Sequence, residues 1–489
     1  MNKFIRSVRL DEKLCQGCIN CIKYCPTQAI RVHNGKAHII DKFCIDCGRC
    51  IRYCPHHAKI AIYDSLNVMN QYKYTVALPA PSLYAQYNNL TNVDIVLNAL
   101  LKLGFDDVYE VSAAAELVSE ASRAYIEEHK AEGPFISSAC PSVIRLIRVK
   151  FPTLIPKLLP LKAPVEVAAE IARAKAMEKT GLPSEDIGII FISPCPSKAS
   201  YVKEPLGIEK STIDNVVAIK DIYPLLLPLM NRDESELLPL SNSGRIGLGW
   251  GNSGGEVGGL LIENYLAADG IISVLRILEE LEDEKIHGVD FIELNCCNGG
   301  CVGGVLTVEN AYVAKTKTKR LLRYQPVSKS HLASHPRLKS MHWDENVKYE
   351  PVFRLGNTFK ESLQMMNAVE ELNKKLPGLD CGSCGAPTCQ TLAEDIVRGA
   401  ATQNDCIYLL RKNIANISKD IALLTETTLT EDAQDDSMRI LQDYIQKLTT
   451  QLANFTLPSE NHKKEDQVDH TAADNNDYAD LDTTLAGRR

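Results

Sequence analysis

The sequence predicts a multidomain α/β protein, and three observations support that class. Apolar, strand-like runs such as "YTVALPAP", "IGIIFISPCP" and "VDFIELNCC" alternate with helical patterns between about residues 71 and 328. Such alternation is typical of parallel β/α units. The 17 cysteines fall in three groups, and the first group lies in a duplicated segment near the N-terminus. The chain of 489 residues is long enough for several domains of this kind.

The duplicated segment consists of "CQGCINCIKYCP" and "CIDCGRCIRYCP". Each reads C-x2-C-x2-C-x3-C-P, the run that holds [4Fe–4S] clusters in bacterial ferredoxins, where the fourth cysteine of each run ligates the other cluster. We therefore predict a ferredoxin-like 2[4Fe–4S] domain over residues 1–70. A double zinc site is the alternative, and the short fixed spacing repeated with proline disfavours it. The predicted ligands are Cys15, Cys18, Cys21 and Cys54 for one cluster and Cys25, Cys44, Cys47 and Cys50 for the other.

Four cysteines in the middle of the chain each follow an apolar, strand-like run: Cys140, Cys195, Cys297 and Cys301. In α/β folds, ligands bind at the carboxyl ends of the strands. Four thiolates from three strand ends could therefore hold a further cubane, whereas buried structural cysteine is the alternative. The glycine-rich stretch "GLGWGNSGG" lacks the G-x-G-x-x-G phasing and any following Lys-Ser/Thr, so it does not predict a phosphate loop.

Three of these stretches, "SSACPSV", "SPCPSKA" and "ELNCCNGGCVGG", resemble in order the three signature segments of [FeFe]-hydrogenases. The resemblance covers roughly residues 1 to 325 and implies a two-lobed, parallel α/β H-cluster domain over residues 71–328. It implies a cubane bound by the four middle cysteines and joined through Cys301 to a two-iron subcluster with CO, cyanide and dithiolate ligands. Cys296 is then spare, because the family usually has alanine there.

The same resemblance implies residues around the two-iron subcluster. Lys198, three residues after Cys195, would contact one cyanide, although an ordinary surface lysine is the alternative. The loop "LPAPS", with Leu78, Pro79 and Ala80, would face the other cyanide. Trp250 would lie near the two irons.

The sequence departs from the family where active members relay protons. Ala139 replaces a cysteine and Tyr201 replaces a glutamate of that relay. Separately, Asn295 replaces the usual methionine before the third-segment cysteines. Further family glutamates after the "LPAPS" loop have no counterpart, since the stretch between Asp64 and Asp94 holds no carboxylate. Alanine cannot relay a proton. The departures resemble the divergent, sensory branch of the family and predict slow turnover.

The stretch from Cys381 to Cys406 reads C-x2-C-x4-C-x16-C and resembles a small [4Fe–4S] module of redox-complex subunits and corrinoid proteins. Zinc is the alternative.

We place this module at residues 358–412, with a connector at 329–357 before it. Apolar residues at 3-4-3 spacing predict a helical interaction region over 413–455, and an acidic, apolar-poor tail over 456–489 is predicted to be disordered. The predicted ligands are Cys381, Cys384, Cys389 and Cys406; the two apolar stripes are Ile414, Ile417, Ile421 and Leu424, then Met438, Leu441, Ile445, Leu448 and Leu452.

Composition limits the remaining function classes. No apolar run reaches the roughly 18 residues of a membrane span, and the N-terminus has no signal-peptide pattern, so a cytoplasmic protein is expected. The net charge of -8 argues against nucleic-acid binding. We predict an iron–sulfur oxidoreductase with four [4Fe–4S] clusters and a two-iron subcluster, which binds H2 with slow turnover and senses H2 or redox state.

Protons, a ferredoxin-like electron carrier or redox subunit, and a signalling partner at the C-terminal helices are the expected partners besides H2. Two alternatives stay open. One is an ordinary ferredoxin-linked hydrogenase with a different proton route. The other is a non-catalytic relative that carries cubanes but no two-iron subcluster.

Overall fold

The structure is a computed structural model that describes residues 6–231, 233–335 and 341–427, together with residues 443, 445 and 446. The chain divides into two compact units, Met1–Ile407 and Tyr408–Arg489. Most of the second predicted apolar stripe and the whole predicted acidic tail, 456–489, lie outside the described residues. Among the described residues, no helix combines the length and the apolarity needed to cross a bilayer.

The strands of the described chain are short, and the longest lie in the middle of the sequence. They are β1 (Val8–Leu10), β2 (Ile30–His33), β3 (Lys36–Ile39), β4 (Lys59–Ala61), β5 (Tyr74–Pro79), β6 (Asp107–Val108), β7 (Phe135–Ile136), β8 (Ile187–Ser193), β9 (Asn215–Ala218), β10 (Tyr265–Asp269) and β11 (Phe291–Asn295).

The α-helices range from single turns beside the N-terminal cysteines to long helices around the middle strands. They are α1 (Asn20–Lys23), α2 (Arg49–Arg52), α3 (Pro81–Tyr84), α4 (Asp94–Leu103), α5 (Val111–Glu128), α6 (Pro141–Lys150), α7 (Pro164–Thr180), α8 (Pro196–Lys203), α9 (Ile219–Leu226), α10 (Arg245–Gly249), α11 (Gly255–Leu260), α12 (Ile271–Glu282), α13 (Ala311–Leu322), α14 (Phe359–Lys375), α15 (Cys389–Val397) and α16 (Ile407–Thr427). Short 3-10 turns lie at Asp41–Phe43, Leu66–Gln71, Lys130–Glu132, Pro152–Lys157, Ser184–Asp186, Leu227–Leu229, Glu234–Glu236, Cys301–Gly303, Leu332–Ser334 and Gln403–Asp405.

Two parallel sheets form the middle of the molecule. One has the order β6-β5-β8-β9 and the other the order β10-β11-β7, and every pairing within them is parallel. The N-terminal region has only antiparallel pairs, β1 with β4 and β2 with β3. The two parallel sheets confirm the predicted multidomain α/β class with a two-lobed middle region.

The apolar runs form β5, β8 and β11, whose side chains are mostly buried on both faces, whereas the edge strand β10 is partly exposed. β8 is buried along its whole length, which its continuous apolar run requires. Its side chains divide between two cores, one that contains Ile189 and Phe191 and another that contains Ile190 and Ile192. A third core around Ile292 and Leu294 of β11 underlies the second sheet. The carboxyl ends of these strands are where the middle cysteines lie.

Strand β6 is shorter than the apolar run that contains it. The run "DVYEVS" indicates a strand, but only Asp107 and Val108 pair in β6. Helix α5 begins at Val111, because the alanine-rich residues that follow favour a helix over further pairing. Helix α16, Ile407–Thr427, contains the first predicted apolar stripe, Ile414 to Leu424.

Candidate metal centre

The first group of thiols surrounds Cys21 on the single turn α1. Burial raises the pKa of Cys21 to about 11, the Lys59 ammonium lowers it, and the neighbouring thiols of Cys18, Cys54 and Cys15 raise it further. Cys54 belongs to the second sequence run, so the turn α2 brings it across to the first three cysteines. This is the grouping that an exchanged fourth ligand requires; ligation itself stays a prediction.

The second group is arranged in the same way. Burial raises the pKa of Cys25, and the nearby Cys47 thiol adds to the rise. Burial also raises the pKa of Cys44, with further contributions from Asp46, Cys50 and Cys25. The backbone N–H of Ala29 donates to the Cys25 Sγ at 3.2 Å. Cys25 of the first run therefore lies with three cysteines of the second run.

The third group lies at the carboxyl ends of β7, β8 and β11. Cys140 and Cys195 each come directly before a helix that has proline at its first position, which suits the start of a helix. Burial raises the pKa of Cys301 to about 12; Lys198 lowers it, and Cys140 and Cys297 raise it. The structure therefore brings the four predicted H-cluster cysteines together, with Lys198 beside them.

Cys296, the cysteine that no predicted cluster uses, lies between the second and third groups. Hydrogen bonds with Cys297 and Cys47 raise its pKa well above the usual range, and burial adds to the rise. The same hydrogen bonds lower the pKa of Cys47 and of Cys297. Cys296 thus lies beside a predicted ligand of the ferredoxin-like domain and one of the H-cluster domain.

Two cations join the same two regions. The buried Arg145 on α6 contacts Asp46 at 3.3 Å and donates to Ser200 Oγ on α8 at 2.7 Å. Arg52 on α2 donates to the Gly303 carbonyl at 2.6 Å. These contacts hold the second cysteine run against the segments that follow Cys140, Cys195 and Cys301.

The fourth group lies around α15. Burial raises the pKa of Cys384, and the thiols of Cys406 and Cys381 add to the rise. The backbone N–H of Cys389 donates to Asp380 Oδ1 at 2.7 Å. Cys406 comes directly after the 3-10 turn that Thr402 and Asp405 cap reciprocally. All four predicted ligands are therefore in one short region, and Cys381 is exposed.

The donor set suits iron–sulfur clusters. Every group consists of thiols, the ligands that iron–sulfur clusters take. Within the described ranges, no three His, Cys, Asp or Glu side chains are close enough to hold a single metal ion. In a cubane each of the four irons takes one thiolate. The four thiols of a cluster site therefore lie farther apart than the ligands of a single metal ion.

A cavity of about 50 Å³ lies beside Cys301 and Cys140. That volume has room for a few water-sized groups, at roughly 10–15 Å³ each. Lys198 is on its wall, where Nζ contacts the Ala139 carbonyl at 3.4 Å. Ser82 is also on the wall, and its buried hydroxyl has no hydrogen-bond partner. A lysine ammonium and an unpartnered hydroxyl at one cavity fit a small anionic group next to Cys301.

The predicted "LPAPS" loop contributes to this cavity only in part. Ala80 lies on the wall with Pro81 and Ser82. Leu78 and Pro79 belong to β5, and Leu78 packs in the apolar core instead. Pro81 and Ser82 therefore line the cavity, whereas Leu78 and Pro79, which the resemblance implied, do not.

Trp250 also lines the cavity, and its place near two irons stays a prediction. Its indole N–H donates to Ser119 Oγ at 3.0 Å, so the ring presents carbon atoms to the cavity. The loop after Trp250 packs on the third cysteine segment. A Cβ at Gly300, whose φ is +88°, would lie 2.4 Å from the Ser253 backbone nitrogen, so only glycine fits there.

Three positions depart from the family pattern, and their surroundings differ: Ala139 and Tyr201 replace proton-relay residues, and Asn295 replaces a methionine. Ala139 is on the cavity wall. Asn295 is there too, and its Nδ2 donates to Glu293 at 2.6 Å. Tyr201 instead packs in the core around Ile292, where burial raises its pKa well above the usual range. The structure therefore brings two of the three replaced positions to the cavity.

Two buried carboxyls on the cavity wall were missed by the sequence reasoning, Glu256 and Glu293. Burial raises the pKa of Glu256 to about 8, Glu293 adds to the rise, and Ser137 and Lys198 lower it. Ser137 Oγ donates to Glu256 at 2.5 Å. Burial likewise raises the pKa of Glu293. A glutamate inside the apolar run "DFIELN" was the signal that could have identified Glu293, since an apolar strand seldom contains a carboxylate.

Three family models match separate segments of the chain. The model described as iron only hydrogenase large subunit, C-terminal domain, matches residues 73–255. A 4Fe-4S dicluster domain model matches residues 7–55. An Fe-S cluster model matches residues 376–408.

Two curated relatives have low sequence identity to the chain. The chain is 24% identical over 288 residues to iron hydrogenase 1 of Clostridium pasteurianum, which is 47% of this chain and 50% of that protein. It is 23% identical over 303 residues to the NADP-reducing hydrogenase subunit HndD of Solidesulfovibrio fructosivorans, 58% of this chain and 48% of that protein. The chain spans about half the length of these curated relatives.

A solved [FeFe]-hydrogenase structure from Chlamydomonas reinhardtii is 16% identical and covers 54% of this chain and 88% of that chain, with a TM-score of 0.42. The hydrogenase model over the middle strands, the dicluster model over the N-terminal runs and the two curated relatives agree with one another. Together they support a protein of the [FeFe]-hydrogenase family, with the hydrogenase similarity over residues 73–255 and the dicluster similarity over residues 7–55.

Proposed function

We propose that the protein binds H2 at an H-cluster and turns it over slowly, as a sensor of H2 or redox state. The observation that carries this proposal is the cavity beside Cys301, which has Lys198 and Ala139 on the same wall. The ammonium suits an anionic two-iron subcluster, whereas the methyl group offers no proton at the position where active relatives have a cysteine.

The four thiols of Cys140, Cys195, Cys297 and Cys301 would hold the cubane, with Cys301 shared with the two-iron subcluster. When bound, that subcluster supplies the chemistry of reversible H2 cleavage. The chain's own contribution would be to position the subcluster and to exclude water from the cavity. Lys198 would balance the negative charge of a cyanide, the Ser82 hydroxyl would donate a hydrogen bond, and Trp250 would keep the cavity dry.

Electrons would be exchanged through the other cysteine groups with a ferredoxin-like carrier or a redox subunit. We also propose that the C-terminal helical region transmits the signal to a partner, since an apolar stripe at 3-4-3 spacing suits helix association. A cytoplasmic location would supply both partners.

A second candidate function is an ordinary hydrogenase with a different proton route. Glu256 and Glu293 favour it, because both carboxyls lie on the cavity wall and Ser137 connects Glu256 to the backbone N–H of Ala139. With a pKa of about 8, Glu256 could both hold and release a proton near neutral pH. On this view Glu256→Gln would abolish turnover, whereas a slow sensor would lose little.

Infrared spectroscopy of the anaerobically matured protein tests the proposal. Intrinsic CO and cyanide bands that shift under H2 are expected, together with slow H2 turnover. Lys198→Met should weaken or remove the bands while the cubane absorbance is retained. Cubanes without any CO band would instead identify a non-catalytic relative, and fast turnover in the unaltered protein would favour the second candidate.

A further inference from the structure

We propose that residues 376–407, the C-terminal cysteine module, are docked on the first ferredoxin-like cysteine run and form the end of the chain's electron path that meets an external carrier. This inference rests on the proposed function only in that each cysteine group holds a [4Fe–4S] cluster. It does not require the two-iron subcluster.

A buried ion pair fixes the module to the N-terminal region. Arg31 on β2 makes a two-pronged contact with Asp395 on α15, through Nε to Oδ2 and through Nη2 to Oδ1 at 3.1 Å. Only 6% of the Arg31 side chain and 11% of the Asp395 side chain are exposed. A paired guanidinium and carboxylate with so little water around them define one orientation, because either charge would be costly to bury alone.

Backbone and side-chain contacts extend this interface. The Val32 N–H donates to the Gly385 carbonyl at 2.9 Å, so the loop after Cys384 adds to the edge of β2. A Cβ at Gly385, where φ is +82°, would lie 1.9 Å from the Val32 oxygen. Thr391 Oγ donates to Gln28 Oε1 at 2.6 Å. The module therefore packs directly on the hairpin β2–β3 and cannot carry a side chain at position 385.

These contacts place the fourth cysteine group next to the first. A Cβ at Gly382, between Cys381 and Cys384, would lie 3.3 Å from the Ile22 side chain, and Ile22 follows Cys21. Cysteines of the first and second groups pack in one core, and Cys296 lies beside Cys47 of the second group and Cys297 of the third. The four groups therefore lie in the order fourth, first, second, third.

The fourth group is the exposed end of that order. All seventeen cysteines lie in described parts of the chain, and Cys381 alone among them is exposed. An external carrier can approach that end most closely. A reduced ferredoxin would give up one electron and become oxidised, and the chain would take up that electron at the module; the reverse applies when H2 is oxidised.

The kinetic experiment uses the full chain with its cubanes but without the two-iron subcluster. Reduced ferredoxin is mixed with it anaerobically, and reduction is followed by the loss of visible cluster absorbance. In Cys384→Ser, the rate at which ferredoxin reduces the remaining clusters should fall about tenfold or more, because ferredoxin must then approach a cluster that is farther from the surface. An unchanged rate would overturn the proposal. Because the two-iron subcluster is absent, a negative infrared result on the proposed function leaves this outcome intact.

A spectroscopic experiment keeps the proposal falsifiable if Cys384→Ser folds poorly. Electron paramagnetic resonance of the reduced full chain should show a signal broadened by magnetic interaction between the module and its neighbour. Asp395→Asn, with unchanged iron content, should narrow that signal, and Arg31→Lys should act in the same direction. The matched control is Glu394→Gln, which removes the same charge from α15 but whose partner Arg398 lies four residues away in the module. A magnetically isolated module in the unaltered chain would refute docking.

Discussion

At position 139 a methyl group stands on the cavity wall, where it can neither donate nor accept a proton. Ala139→Cys should therefore raise H2 turnover of the matured protein, because a general acid or base typically contributes ~10²-fold or more. The gain should stay partial, since Tyr201 is buried in an apolar core rather than at the cavity. H2 evolution assays measure it. Ala115→Cys, on the same wall, is the matched control and should give no gain.

Cys296 is the residue whose position sequence alone could not reveal. The resemblance left it without a role, but its thiol lies between Cys47 and Cys297. Hydrogen bonds to ligand sulfur raise the reduction potential of iron–sulfur clusters. Cys296→Ala should therefore shift the potentials of the second and third groups to more negative values, whereas Cys296→Ser should stay closer to the unaltered protein. Redox titration followed by paramagnetic resonance measures both; equal potentials in all three proteins would contradict this role.

The candidate site could be predicted from sequence where spacing carries the information. Short cysteine spacing does not depend on the rest of the fold, so the groups around Cys21 and Cys44 were predicted from residues alone. The group around Cys384 was predicted from its spacing together with a resemblance. Glu256 could not be, because its place on the cavity wall depends on how α11 packs against β11 through the Glu293 carboxylate, which accepts hydrogen bonds from Gly254 and Val257.

At the scale of elements, helix α7 is fixed by a buried carboxyl, Glu166, which accepts hydrogen bonds from Ser211 Oγ at 2.6 Å and the Thr212 N–H at 3.1 Å. Burial raises the pKa of Glu166 to about 7, although both hydrogen bonds lower it. The folded state therefore holds a proton that the unfolded chain releases near pH ~4.3. The free energy of unfolding falls as pH rises from there to about 7, by at most ~1.4 kcal/mol per pH unit from this group.

Glu166→Gln should remove this contribution, since glutamine stays neutral and keeps an acceptor for Ser211. The free energy of unfolding of the unaltered protein should fall by about 1–3 kcal/mol more than that of the variant when the pH rises from 5 to 8. Urea unfolding at the two pH values measures the difference. Glu178→Gln, also on α7, is the control, because it removes a carboxylate from an exposed position of the same helix. The same pH dependence in the unaltered protein and in Glu166→Gln would show that this carboxyl stays charged in the folded state.

The elements themselves were predictable where apolar runs are continuous. β5, β8 and β11 follow such runs because a strand buried on both faces needs no polar alternation. β6 and β7 have two residues each and carry too little pattern to be bounded. The ends of elements near Val111 depended on the competition between helix and strand pairing, which local sequence does not settle.

At the scale of the whole molecule, the order of the cysteine groups follows from tertiary contacts and not from their order in the sequence. The fourth group, last in the chain, lies beside the first through Arg31 and Asp395. The second lies beside the third through Cys47, Cys296 and Cys297. Cysteine spacing predicts what each group binds. It does not predict which groups are neighbours, because contacts such as Arg31 with Asp395 join residues 364 positions apart in the sequence.

The number of cubanes is the last quantity that this arrangement predicts. Four groups of four thiols should bind about sixteen irons and as many sulfides after anaerobic reconstitution, at about four of each per cubane. Cys384→Ser should remove about four irons and four sulfides, because a cubane with a missing thiolate is lost as a unit. Cys296→Ser should remove none, since that thiol lies beside ligands without completing a group. Zinc at any group would instead appear as metal without acid-labile sulfide. Iron and sulfide analysis of the three proteins decides the matter, and a loss of iron in Cys296→Ser equal to that in Cys384→Ser would show that the cysteines are wrongly assigned to their groups.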